Sequence, residues 1–495
     1  MPDQPSATPD PDTRGLFFRV FPSICLPMFL AAVDATIVAT ALPAIAGTLG
    51  DVERIGWVVV AYLMATTIAA PVYGRLGDAL GRKRLMLLAL IVFVVASVLC
   101  AIAPTMLALI MARVLQGVGG GGLMTLSQAL VGETVPPRER GRYQGYLASI
   151  FMVSSTFGPV MGGWLTQGFG WQAVFLINVP LGAVAFLLAM RLPDRRPAAV
   201  AVRFDWLGLL LFAGFVVPLL LALERVQQVS AATIPVVLAL LAGAAGSLWL
   251  LLRQERRASH PLIPVNVLRH PAIWRADAMA ACAGASIVAA VTFMPIYLQV
   301  VRGVSPARVG LLLLPLTAGI AMGSLLTGRS IARTGRTAVW PSYGLVSVVV
   351  CLLVLALGAG SIPTGALPAL FLVLSMSLGT TMPVVQVTVQ SVAGATNLGA
   401  ASASVQFSRS IGAALGTASV GAVLFAILTV HDPAVAELFA TIVQRGPDVL
   451  ATLDPARRAL VSTEIAGAFS AAFGTIAAFA AMGLVLAWTL PVRRI

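Results

Sequence analysis

Three charged side chains stand inside otherwise apolar stretches, and each needs a reason to be there: Asp34, Arg113 and Arg409. An Asp near the centre of a lipid-embedded helix costs about 2.5–3.5 kcal/mol on insertion scales, which makes such residues functional candidates by default. The chemistry open to an acid beside a guanidinium is proton exchange. The arginine favours the charged carboxylate and loss of water favours the neutral one, so a change in access moves the proton on or off. Asp34 lies nine residues before Pro43, and Arg113 lies seven residues into its own apolar stretch. Their depths are similar, which marks them as a coupling pair; the competing reading is a static buried ion pair. Arg409 shares a helical stripe with Ser402, Gln406 and Gly416. No Asp or Glu occurs in the three apolar stretches before it, and Asp277 and Glu464 fall at expected helix ends. Arg409 is therefore expected to pack through neutral hydrogen bonds, to reach Asp34, or to hold an anionic or carbonyl-bearing compound.

Gln116, Phe157, Tyr297 and Gln406 add polar and aromatic groups to a candidate pocket, with a core or lipid-facing position as the plainer reading of the aromatics. No catalytic constellation accompanies them. The chain has no phosphate-binding loop ending in Gly-Lys-Ser or Gly-Lys-Thr and no supported Ser/His/Asp set, so it is not expected to be an enzyme or to use ATP directly. The cysteines Cys25, Cys100, Cys282 and Cys351 all lie in apolar stretches without metal or disulfide spacing. The three histidines are scattered through loops. No metal and no cofactor is expected. An ion gradient is then the energy source, since one charge crossing 100 mV yields about 2.3 kcal/mol.

The elements that hold these residues must be membrane helices. Of 495 residues, 59% are hydrophobic and only 10% charged, against roughly 25% charged in soluble proteins. A helix needs about 20 residues to cross the hydrocarbon core. Fourteen apolar stretches approach or exceed that length: 20–43, 55–74, 85–103, 106–130, 144–167, 171–190, 206–223, 231–252, 278–300, 309–328, 338–358, 364–387, 399–428 and 465–490. The expected fold is all-α and integral to the membrane, with residues 1–19 as a cytoplasmic tail. With the N terminus inside, most of the 32 Lys and Arg fall in cytoplasmic segments, as the positive-inside tendency requires. An even count puts both termini in the cytoplasm and 429–463 outside. This orientation accounts for the net charge of +13 without a nucleic-acid partner.

An internal repeat organises the helices. The sequence GRLGDALGRKR at 74–84 returns in degenerate form as GRSIARTGRTA at 328–338, an offset of 254 residues. Gly158 and Gly162 match Gly412 and Gly416 at the same offset, as Gly145 and Ser154 match Gly399 and Ser408. Two unrelated patterns at one offset indicate a duplicated membrane unit in parallel orientation. The expected architecture is two six-helix bundles, 20–190 and 278–495, joined by a linker 191–277 that carries two inserted helices, the seventh and eighth.

These motifs resemble those of the major facilitator superfamily, specifically its fourteen-helix drug:proton antiporter branch. Gly74, Gly77, Asp78, Gly81, Arg82 and Lys83 match the loop motif between helices two and three. Asp34, within AVDATIVATALP, matches the first-helix motif, and Arg113, Gln116 and Gly117 match that of helix four. Gly158, Pro159, Gly162 and Gly163 match the antiporter motif of helix five. FLINVPLG at 175–182 and YLQVVRGVSPARVGLLLLP at 297–315 are further branch features. The resemblance implies a secondary transporter in which Gly74, Asp78, Gly81, Arg82 and Lys83 latch the cytoplasmic face. Asp34 would carry the proton, and Pro159 with its glycines would seal helix packing against ion leakage. The expectation is a proton-coupled antiporter that exports amphipathic organic compounds, including drugs, by alternating access in the cell inner membrane. Its expected partners are a small-molecule substrate, protons and membrane lipids, and its working unit a monomer. A carrier for one metabolite or vitamin, or a lipid transporter, are the alternatives. One central acid against two arginines further implies a preference for neutral, anionic or singly cationic compounds over divalent cations.

Overall fold

The computed structural model describes residues 12–137, 139–194, 204–226, 233–258, 261–262, 265–445 and 454–494. Among them, regular structure is helical apart from one isolated bridge between Arg336 and Arg494. The first helices are α1 (Asp12–Ile37), α2 (Trp57–Leu80), α3 (Arg82–Ala101), α4 (Met106–Thr134), α5 (Arg140–Phe169) and α6 (Asn178–Ala189). Next come α7 (Trp206–Val226) and α8 (Ile234–Arg257). The last are α9 (Pro271–Val300), α10 (Pro306–Thr334), α11 (Val339–Leu357), α12 (Leu367–Gly379 and, past Thr380, Thr381–Ala393), α13 (Leu398–His431) and α14 (Pro455–Trp488).

A helix forms at every expected stretch, but the described helices supply 12 candidate membrane spans rather than fourteen. The two that fall short are α5 and α6. Helix α5 is 30 residues long, but Gln144, Ser154, Ser155 and Thr156 dilute its apolar character. The stretch 171–190 is interrupted at Ile177, between a short turn Ala173–Leu176 and α6. From Ala173 to Ala189 it rises only about 26 Å.

Other boundaries also differ from the sequence reading, including that of α14, which begins at Pro455 rather than 465. Helix α1 begins at Asp12, inside the expected tail, of which residues 1–11 lie outside the described residues. Helix α9 begins at Pro271, seven residues before the expected 278, because the His270 ring accepts from Ala272 N at 3.2 Å and a proline at the first helical position loses no helical bond. The expected outer loop 429–463 contains a helix, Pro433–Arg445, that buries Val435, Ala436, Phe439 and Ile442 on one face. Residues 446–453 of that loop, and 195–203 of the expected linker, lie outside the described residues.

The chain divides into two compact units, Met1–Val131 with Ser154–Val202, and Gly132–Val153 with Arg203–Ile495. In the first unit, α4 presents a glycine face to two neighbours. A Cβ on Gly121 would stand 2.5 Å from the Thr66 carbonyl oxygen of α2, and one on Gly119 would stand 2.8 Å from Phe93 Cβ of α3. Backbones approach this closely only where side chains are absent. Helix α5 packs on α1 in the same way, since a Cβ on Gly158 would overlap Thr36 Oγ1 and one on Gly162 would overlap the Ile37 oxygen. In the second unit, Gly412 and Gly416 of α13 lie against Ala281 and Ala285 of α9. The two glycine pairs related by the repeat offset therefore do the same packing work. The core of the second unit includes Tyr297, Phe469 and Phe473, with Tyr297 and Phe473 edge to face at 5.2 Å. Helix α7 joins this unit through Phe212, whose ring centroid is 5.1 Å from that of Phe407 on α13.

Candidate functional site

Five elements of the first unit converge on Asp34, one turn before the end of α1. From α4, Arg113 Nη1 meets Asp34 Oδ2 at 2.5 Å, and both side chains are fully buried. Gln116, three residues on and so on the same face of α4, donates from Nε2 to Asp34 Oδ1 at 2.8 Å. Asn178, the first residue of α6, donates from Nδ2 to the same oxygen at 2.8 Å. Both carboxylate oxygens are thus engaged by donors from other helices. Ser97 of α3 supports two of these donors, accepting from Gln116 at 2.8 Å and from Asn178 at 3.3 Å.

Arg113 has partners besides the acid. Its Nη1 also donates to Gln116 Oε1 at 2.7 Å, and its Nε donates to the Val58 carbonyl of α2 at 3.0 Å. Its guanidinium carbon lies 4.1 Å from the centroid of the Tyr62 ring, one turn along α2 from Val58. The Tyr62 hydroxyl in turn donates to the Ala31 carbonyl of α1 at 3.0 Å. One donor, Arg113 Nη2, has no hydrogen-bond partner among the described residues. Such a cluster binds its members strongly, because unpaired polar groups away from water are costly.

The second unit treats its intramembrane arginine differently. Arg409 of α13 is half-buried, donates to Gln406 Oε1 at 3.1 Å, and lies 4.6 Å from the centroid of the Phe151 ring. Among the described residues it makes no ion pair. Both oxygens of Asp34, for their part, are engaged by donors of the first unit. Asp277, expected at a helix end, lies inside α9, is 8% exposed, and accepts from Ser404 Oγ at 3.3 Å. The earlier start of α9 brings this acid into the helix, and the His270-Pro271 pair was the signal for it.

The remaining candidates fall in varied places. Asp78 and Arg82 form an ion pair of 2.5 Å across the junction of α2 and α3, where Gly81 adopts φ 99° in the left-handed region. Gly74 is buried in α2, and Lys83 is half-buried in the first turn of α3. Tyr297 is fully buried in the second unit's core and donates its hydroxyl to the Ala359 oxygen at 2.5 Å. Phe157 is 55% exposed on α5. A Cβ on Gly163 would meet nothing within 4 Å, so of the expected packing glycines Gly158 and Gly162 make close contacts and Gly163 does not. Four contributors to the Asp34 cluster, Val58, Tyr62, Ser97 and Asn178, did not stand out in the sequence, although Asn178 lies in the FLINVPLG segment.

With this geometry in place, comparison with known proteins becomes informative. The model of the Major Facilitator Superfamily matches residues 24–417. The chain belongs to the major facilitator superfamily. Members of this superfamily are transporters rather than enzymes, which agrees with the lack of a catalytic constellation. An uncharacterized MFS-type transporter of Mycobacterium tuberculosis (strain ATCC 25618 / H37Rv) is 36% identical over 405 residues, 81% of this chain and 59% of that protein. The chain therefore spans less than two thirds of that relative's length. The multidrug transporter protein MdtP of Bacillus subtilis (strain 168) is 30% identical over 403 residues, 81% of this chain and 74% of that one. The crystal structure of the human organic anion transporter MFSD10 superposes with a TM-score of 0.64 at 16% identity, covering 97% of this chain and 100% of that one. That likeness establishes a shared fold.

Proposed function

We propose that this superfamily member is a proton-coupled antiporter that exports amphipathic organic compounds, with Asp34 as its proton site. The observation that carries this reading is the sealed Asp34–Arg113–Gln116–Asn178 cluster. A proton on Asp34 would cancel its ion pair, yet Arg113 would keep Gln116 Oε1, the Val58 carbonyl and the Tyr62 ring. Every group that faces the carboxylate is a donor, so a proton on Asp34 would need the cluster to open, which suits a group whose proton is exchanged when the helices move. A relative named as a multidrug transporter supports the substrate class. The Asp78–Arg82 pair, with Gly74, Gly81 and Lys83, acts as the conformational latch, and Pro159 with Gly158 and Gly162 as the tight packing face. Helices α5 and α6 also cross, giving fourteen spans with both termini on the cytoplasmic side of the inner membrane.

The deciding experiment is transport into proteoliposomes under an imposed pH gradient. Asp34→Asn should abolish gradient-driven accumulation while leaving downhill exchange measurable. A partner change, Asp34→Asn with Arg113→Gln, removes both charges and should recover stability without recovering accumulation. Undiminished accumulation by a folded Asp34→Asn protein would remove this acid from the mechanism. For the topology, a cysteine at Gly168 should label from outside intact cells, because the α5–α6 connection faces out only if both helices cross.

A second reading has its own observation. Arg409, with Gln406 and Phe151 beside it and no ion pair among the described residues, suits the anionic or carbonyl group of a single metabolite or vitamin. Saturable transport of one carboxylate-bearing compound, lost in Arg409→Gln, would favour this specific carrier. On either reading, divalent cations should be poor substrates, since a second uncompensated charge is costly where water is scarce. Should a divalent analogue outrun its monovalent partner at matched hydrophobicity, Asp277→Asn would test whether that buried acid supplies the missing compensation.

A further inference from the structure

A groove of about 590 Å³ lies between the first turns of α11 and the last turn of α14. Its lining includes Arg336, Arg493 and Arg494 at one end and Tyr343, Val346 and Trp488 beside them. The backbone builds it. Thr337 N donates to the Arg493 carbonyl at 3.1 Å, Thr337 Oγ1 donates to the Val492 carbonyl at 2.8 Å, and Arg336 and Arg494 form the isolated bridge. These bonds tie the residues after α14 to the connection before α11, so three arginines are gathered in the lining of the groove. None of the three makes an ion pair among the described residues. Arg493 Nη2 donates to the Trp488 carbonyl at 3.1 Å.

The chemistry of the lining changes along the helices. Tyr343 is 75% exposed and Trp488 53%, and amphipathic rings of this kind are enriched at the border between headgroups and hydrocarbon. Deeper along the same two helices, Val350 of α11 and Val485 and Met482 of α14 are exposed apolar side chains. Arginines at the helix ends, aromatics one turn in and bare aliphatics beyond reproduce the profile of one lipid molecule, from phosphate to acyl chain. Guanidinium groups present paired donors that match phosphate oxygens, and basic pockets between membrane helices are suited to anionic headgroups. We propose that this groove is a binding site for one anionic phospholipid, its phosphate held by Arg336, Arg493 and Arg494 and an acyl chain laid along α11 and α14.

The test is native mass spectrometry of the full chain in detergent, with dioleoyl phosphatidylglycerol and dioleoyl phosphatidylcholine titrated separately. The wild type should retain one phosphatidylglycerol in preference to phosphatidylcholine. The triple variant Arg336→Gln, Arg493→Gln and Arg494→Gln should weaken phosphatidylglycerol binding about tenfold or more, because each basic residue near a headgroup contributes measurably, and should leave phosphatidylcholine unchanged. The bonds that build the groove come from the main chain and Thr337, so this variant keeps its fold, checked by far-UV circular dichroism on heating. Tyr343→Ala, at an exposed position, should weaken binding by a smaller factor without any charge change. Excess inorganic phosphate should not displace the lipid, since it lacks the acyl chain. Equal retention by wild type and triple variant would overturn the site. So would an equal loss when the same three-charge change is made at Arg253, Arg256 and Arg257, which would reduce the effect to net charge.

Discussion

The Asp34 cluster and the surroundings of Arg409 handle buried polarity in opposite ways. Around Asp34, both carboxylate oxygens are occupied and one arginine donor alone is spare. In the second unit, Arg409 rests on an amide and an aromatic face, and α12 buries Gln386 and Thr388, whose side chains make no hydrogen bond among the described residues. A saturated network fixes one geometry and penalises any loss. An unsaturated one leaves donors and acceptors that a ligand or water can take up. On the proposed reading, proton chemistry would belong to the region that is already complete and selectivity to the region that is not.

Removing the arginine is the harshest way to test that contrast. Arg113→Leu leaves Asp34 as a buried charge without its counter-ion and should destabilise the protein by about 3–5 kcal/mol. The measurement is denaturant or thermal unfolding in detergent, with Arg409→Leu alongside. Similar losses from the two arginines would erase the distinction. The glycine contacts come next, and here the units should agree: Gly162→Ala and Gly416→Ala each force a methyl into backbone and should cost about 1–3 kcal/mol. Gly163→Ala, facing open space, should stay within about 0.5 kcal/mol in the same assay. Asn178→Ala removes one of two donors to Asp34 Oδ1 and should cost about 1–2 kcal/mol, with proton-driven transport falling more than downhill exchange. Among the polar positions the smallest stability effect belongs to Arg409→Gln, below about 1 kcal/mol, because no buried carboxylate loses a partner. Its readout is selectivity, a changed ratio of anionic to cationic substrate transport at unchanged melting temperature.

Much of this was legible in the chain itself. Helices appear at all fourteen apolar stretches because lipid leaves the backbone no other way to satisfy its hydrogen bonds within one segment. Asp34, Arg113 and Gln116 were visible because polar groups in apolar runs are conspicuous, and the 3-residue step from Arg113 to Gln116 already put them on one face. Asn178 and Ser97 were harder, since small polar residues are common in membrane helices and only three-dimensional convergence gives them a role. The span count diverged where polar residues thin the apolar signal in α5 and where the chain breaks at Ile177. The helix Pro433–Arg445 was missed through length, although Val435, Phe439 and Ile442 carry its period.

The glycine face of α4 has a consequence for heredity. Glycine alone lacks a Cβ, so every inherited replacement at Gly117, Gly119, Gly121 or Gly122 adds an atom, and each such atom finds a neighbour already within 3 Å. The wall of the first unit is thus closed as raw material for adaptation. Variation is easier where, among the described residues, polar groups still lack partners, along α12 and α13 beside Gln386 and Arg409. A lineage can vary the side chains there while the Asp34 cluster is passed on intact.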